Sequence, residues 1–105
     1  MDNEKIRIII ADDEPVTKMD LRELLTSAGY QVVAEASDGL DAVELCRQHR
    51  PDLILLDVKM PFLDGLSAAR IIHEEQLAGA IVMLTAYSER DFINRAKSCG
   101  VSGYL

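Results

Sequence analysis

The sequence predicts an α/β domain built on an open, doubly wound parallel sheet of five strands. Three observations predict it. Apolar runs of strand length alternate with stretches of helical period. The runs are apolar almost throughout, as strands buried on both faces are. Acidic residues follow such runs directly, at the carboxyl ends of parallel strands, where open sheets bind their ligands.

Taken in order, the first strand is expected over Ile6 to Ala11, ending at Asp12-Asp13. Thr17, Leu21, Leu24, Leu25 and Ala28 recur at helical spacing and mark the inward stripe of a first helix, which Gly29 stops. A second strand, Gln31 to Ala36, leads to a helix opening at Asp38-Gly39. That helix turns Ala42, Val43 and Cys46 inward and ends before Pro51. The third strand, Leu53 to Asp57, runs into Val58-Lys59-Met60-Pro61, where Pro61 prevents regular structure from continuing. Leu66, Ala69 and Ile72 give a third helix starting at Asp64-Gly65, and Ala80 to Thr85 gives a fourth strand. Ser88 and Asp91 have the spacing of a capping box for a fourth helix, which buries Phe92 and Ala96 and stops at Gly100. Val101 to Leu105 is the fifth strand, and no helix follows it.

A chain of 105 residues, 49% hydrophobic, is one domain with enough apolar surface for a core. Its 18 acidic against 11 basic residues leave a net charge of −7, which disfavours unaided contact with nucleic acid, since phosphates are held by Lys and Arg. The polar start, Met1-Asp2-Asn3-Glu4-Lys5, carries no signal-peptide core, and no apolar stretch is long enough for a membrane helix, so a cytoplasmic location is expected. Cys46 and Cys99 lie apart in helical patterns without ligand clusters and read as small buried hydrophobes. His49, at a helix end where a cation suits the dipole, and His73, on a polar face, read as solvated surface.

The chemistry concentrates on Asp12, Asp13 and Asp57, with Asp64 close behind in sequence. Carboxylates gathered in one crevice repel each other unless a cation joins them, and hard oxygen ligands suit Mg²⁺. Asp57 closes an apolar strand and, beside a metal held by its neighbours, is placed to act as a nucleophile toward phosphorus and form an acyl phosphate. Asp13 would then be a direct ligand, with Asp12 acting directly or through water and the Lys59 carbonyl completing the set. The Thr85 hydroxyl is placed to donate to a phosphoryl oxygen, with small Ala86 allowing close approach. On residue type alone Asp57 also suits a helix cap, Tyr104 a strand aromatic with a wet hydroxyl, and the Lys59 side chain a solvated position.

These residues match a family. Asp12-Asp13 after an apolar strand, Asp57 in Leu-Ile-Leu-Leu-Asp-Val-Lys-Met-Pro-Phe-Leu-Asp-Gly, Thr85-Ala86 and the closing Gly100-Val101-Ser102-Gly103-Tyr104-Leu105 resemble the receiver domain of bacterial two-component response regulators over the whole chain. The resemblance implies the flavodoxin-like strand order 2-1-3-4-5. It implies a phosphoacceptor rather than an enzyme: Asp57 takes a phosphoryl group from a sensor histidine kinase, with Mg²⁺ held by Asp12, Asp13, Asp57 and the Lys59 carbonyl. Thr85 would swing toward the phosphoryl group and Tyr104 change rotamer, coupling the site to the face formed by the fourth helix and fifth strand. In this family a phosphoryl-binding Lys and a last helix follow the Gly-Tyr-Leu segment. Residues 1-105 are therefore expected to be a receiver truncated at its C-terminus, whose uncovered apolar face favours a homodimer.

The Lys59 loop and Thr85-Ala86-Tyr87-Ser88 look like receivers joined to RNA-binding antitermination (ANTAR) output domains. A DNA-binding output, or none, fits the same residues. Two other functions share parts of the pattern. A Mg²⁺-dependent aspartyl-phosphate phosphohydrolase would need a further acid or base two residues after its nucleophile, where Lys59 stands, and a substrate-covering cap. A receiver-like interaction module would have lost phosphorylation, against which the intact Asp12, Asp13, Asp57 and Thr85 argue. Asp64 with Gly65 is better read as a helix start than as a site member.

Overall fold

The computed structural model describes residues 5–84 and 99–104, with only the backbone of residue 104. The expected alternation is present: β1 (Arg7–Ala11), α1 (Pro15–Ser27), β2 (Gln31–Ala36), α2 (Gly39–His49), β3 (Leu53–Asp57), α3 (Gly65–Glu74), β4 (Ala80–Leu84) and β5 (Gly103–Tyr104). The strands form one sheet in the order β2-β1-β3-β4-β5, and every neighbouring pair is parallel. Thr85, the expected helix from Ser88 and Leu105 lie outside the described residues.

Side-chain alternation divides the sheet between two cores. Ile9, Ala11, Ile54, Leu56, Ile81 and Met83 face α2 and α3, whose Ala42, Val43, Cys46, Leu66, Ala69 and Ile72 complete the larger core. Ile8, Ile10 and Leu55 face α1, joined by the partly buried Leu21, Leu25, Val82 and Leu84. Each fully buried Ile or Leu contributes about 1.5–3 kcal/mol. Both cysteines are buried and free, as expected. Among the described residues no helix is long and apolar enough to cross a membrane.

Four expectations are corrected. Leu24 and Ala28 do not face inward: Leu24 is 66% exposed, Ala28 is the exposed C-cap, and α1 has no fully buried residue. The face that meets the sheet is centred between Leu21 and Leu25, and at 100° per residue Leu24 lies about 80° from that centre. β2, although apolar, is half-buried along most of its length because it is an edge strand with a single neighbour. β5 starts later than Val101: the chain turns at Gly100, with φ +86°, and among the described residues ladder pairing begins at Gly103. His49 is half-buried rather than solvated, and its carbonyl accepts from the Arg7 guanidinium at 2.7 Å. Arg7 thereby ties the start of β1 to the negative end of the α2 dipole.

Candidate functional site

β1 and β3 end in register, with Ala11 paired to Leu56, so the residues that follow, Asp12 and Asp57, emerge side by side. Asp12 continues the Ile8 and Ile10 side of its strand and Asp57 the Leu53 and Leu55 side, which alternation makes the same face of the sheet. Asp12 is 6% exposed, Asp57 half-buried and Asp13 exposed. One carboxylate oxygen from each lies within 4.8 Å of the others.

Backbone bonds hold this arrangement. The Asp12 N–H donates to the Ala36 carbonyl at 3.1 Å, and the Glu14 N–H donates to Asp12 Oδ1 at 2.9 Å. Val58 N–H donates to Asp57 Oδ1 at 2.9 Å. α1 begins directly after this cluster with Pro15 in its first turn, where a missing N–H costs nothing.

Burial is the main force raising the Asp12 carboxyl above its ordinary value; the Glu14 N–H opposes it, and the charges of Asp13 and Glu14 add to it. Asp57 is raised first by burial, then by the charge of Asp12, with the Val58 N–H pulling back and Asp13 pushing further. Such a cluster is relieved by a cation. Ligand–metal distances of about 2.0–2.1 Å for Mg²⁺ and 2.3–2.6 Å for Ca²⁺ let opposed oxygens stand up to about 4.2 or 5.2 Å apart. A set of three carboxylate oxygens lying within 4.8 Å of one another suits a hard divalent cation whose remaining positions are filled by water or carbonyls.

The structure therefore brings together Asp12, Asp13 and Asp57 and leaves Asp64 elsewhere. Asp64 caps α3, accepting from the Ser67 N–H at 2.8 Å and the Ser67 hydroxyl at 3.2 Å. Lys59 is exposed, and its N–H bonds the Asp57 carboxylate and lowers its pKa. Thr85 and the side chain of Tyr104 lie outside the described residues; the Tyr104 backbone pairs with Met83.

One residue near the site was missed from sequence. Lys18, one turn into α1, donates to the Ser37 hydroxyl, and its charge lowers the Asp12 pKa. The available signal was a cation at the first turn of a helix that starts directly after the Asp pair. A cavity of about 650 Å³ lined by His73, Gly79, Gly100 and Ser102 lies at the opposite, amino-terminal end of β4 and β5, away from the carboxylates.

Residues 8–105 match the family model described as the response regulator receiver domain. The chain is 50% identical over 99 residues to the transcriptional regulatory protein PdtaR of Mycobacterium tuberculosis, covering 94% of this chain and 48% of PdtaR, so it spans about half the length of that relative. The signal receiver domain of the response regulator NarL from Mycobacterium tuberculosis superposes with a TM-score of 0.91 at 33% identity, covering 97% of this chain and 83% of that one. CheY in the CheX-CheY-BeF3-Mg²⁺ complex from Borrelia burgdorferi gives 0.89 at 26% identity, covering 95% and 76%. With the fold, the strand order and the carboxylate cluster in place, these matches settle the family: the chain belongs to the receiver domains of response regulators.

Proposed function

We propose that Asp57 is the phosphoacceptor of this receiver, taking its phosphoryl group from a sensor histidine kinase, and that Asp12, Asp13, Asp57 and the Lys59 carbonyl hold Mg²⁺ for the transfer. The observation that carries this reading is the convergence of Asp12, Asp13 and Asp57 oxygens within 4.8 Å at the carboxyl ends of β1 and β3. An Asp57 oxygen forms the new P–O bond as the P–N bond of phosphohistidine breaks, and the imidazole nitrogen keeps the electron pair and takes up a proton. The bound cation would neutralise charge on the transferring group. Thr85 donates to a phosphoryl oxygen, and Tyr104 follows it as the switch residue.

The output is the regulation of transcription, a reading supported by 50% identity to a transcriptional regulatory protein. Its residues at Lys59 and Thr85-Ala86-Tyr87-Ser88 favour an RNA-binding antitermination partner domain. On this reading the domain is cytoplasmic, and the half-buried Leu53, Val82 and Leu84 form an apolar face that a further helix or a second copy of the chain covers.

The test is incubation with Mg²⁺ and acetyl phosphate, followed by intact mass measurement. The parent should gain one phosphoryl group and Asp57→Asn none. Equal labelling of both proteins removes Asp57 from the role.

A further inference from the structure

A large aromatic stands almost fully in solvent on the loop that follows β3. Phe62 is 83% exposed, and its backbone lies at φ +68°, in the left-handed region that a bulky residue adopts at a cost. Neither core packing nor local backbone preference accounts for an aromatic here. Leu40, in the first turn of α2, is 58% exposed beside it. The two border an open groove of about 450 Å³ whose other walls are Asp38, Asp41 and Glu44.

We propose that this groove is a docking surface for a basic amphipathic segment of a partner protein, with an apolar side chain seated between Leu40 and Phe62 and flanking Lys or Arg residues paired with the carboxylates. The charges select the occupant. Asp38 and Asp41 bring the negative charge to the apolar floor, while Glu44 on its third side already shares Arg47, one turn further along α2, with Glu75. Two copies of this patch would repel each other, and a nucleic acid would bring phosphate against carboxylate. A basic segment with one apolar face complements both features of the groove, in the manner of a helix laid in a groove.

The surface is also preformed. A Cβ on Gly39 would stand 1.9 Å from the Leu63 carbonyl oxygen, so the start of α2 and the loop carrying Phe62 are packed backbone to backbone. Leu63 itself packs against the main core. A groove held this way binds without first ordering its walls. None of this depends on phosphorylation, and the experiment omits any phosphoryl donor.

The test is an NMR titration of the ¹⁵N-labelled chain with an amphipathic Leu/Lys peptide of about 18 residues, five turns of helix. Two controls are a Leu/Glu peptide of the same apolar pattern and a Leu/Lys peptide of scrambled order. Shifts should centre on Leu40, Asp41 and Phe62, and Kd should rise at least about tenfold in the Leu40→Ser/Phe62→Ala double variant. Phe62→Ala alone, outside any helix, should weaken binding in the same direction, and Asp41→Asn should reduce its salt dependence. The Leu/Glu peptide should not bind. Equal binding of the scrambled peptide, an unchanged Kd in both Phe62 variants, or shifts centred on Val16, Met19 and Leu24 of α1 would overturn the proposal. Concentration-dependent shifts at the groove without peptide would assign it to a second copy and overturn it too.

Discussion

A Cβ on Gly65 would stand 2.0 Å from the backbone carbonyl oxygen of Asp57, so the first turn of α3 lies directly on the end of β3. The Gly65 N–H donates to the Val58 carbonyl at 2.8 Å, one residue further along. The backbone of the central carboxylate is thus fixed by a contact only glycine permits.

Gly65→Ala should therefore act on stability and site together. Forcing a methyl group against a backbone carbonyl costs about 1–3 kcal/mol, and the displaced Asp57 should weaken Mg²⁺ binding. Gly39→Ala, equally crowded but against Leu63, should cost a similar amount and leave Mg²⁺ affinity near that of the parent. Urea unfolding and Mg²⁺ titration of the two variants check this; equal losses of Mg²⁺ affinity would count against a local effect at Asp57.

Raised carboxyl pKa values carry a pH signature. Asp12 and Asp57 both lie above 3.8, their ordinary value, so on raising pH the unfolded chain releases these protons first. The two groups stabilise the fold below that value, and the contribution is lost as pH climbs through their folded-state pKa values. Without divalent metal, Asp12→Asn should be more stable than the parent at pH 7, and the advantage should shrink toward pH 3. Added Mg²⁺ should raise the parent's Tm and leave the variant's nearly unchanged. A parent that gains stability between pH 4 and 7 relative to the variant would contradict the assignment.

Asp64 caps α3, which separates it from the three carboxylates proposed to hold Mg²⁺. Asp64→Ala removes the acceptor for the Ser67 N–H and should cost about 1 kcal/mol, within the usual 0.5–2 for an N-cap. Mg²⁺ affinity and phosphoryl uptake should stay at parental levels, as measured by titration and intact mass.

Burial pushes the Cys46 thiol up to about 12. At pH 8 the folded protein should therefore show almost no reaction of Cys46 with Ellman's reagent, since the thiolate is the nucleophile. Unfolding in guanidinium should release it to full reactivity. Peptide mapping with iodoacetamide separates it from Cys99.

Much of the fold is written locally. The alternation of apolar runs with helical stripes located the described strands and helices. The Asp-Gly pairs at 38-39 and 64-65 marked two helix starts, where each Asp side chain caps the third residue beyond it. The inward faces of α2 and α3 followed from spacing alone: Ala42, Val43, Cys46, Leu66, Ala69 and Ile72 are all buried. That Asp12, Asp13 and Asp57 would gather at one edge of the sheet was legible too, because parallel strands present their carboxyl ends there.

Other features depended on neighbours that no local pattern names. Leu24 satisfies the helical stripe yet lies outside the patch of sheet that α1 covers, and β2 has an apolar sequence but an edge position. Lys18 gained its link to Asp12 only when α1 was laid beside the loop carrying Ser37. Local sequence sets which elements form and which residue types end them, since helical and strand periods, caps and breakers act over a few residues. Tertiary structure alone decided that Ala11 pairs with Leu56 and so sets Asp12 beside Asp57. Contacts between segments so distant in the chain are fixed by sheet register and packing of the whole core, which no short stretch encodes.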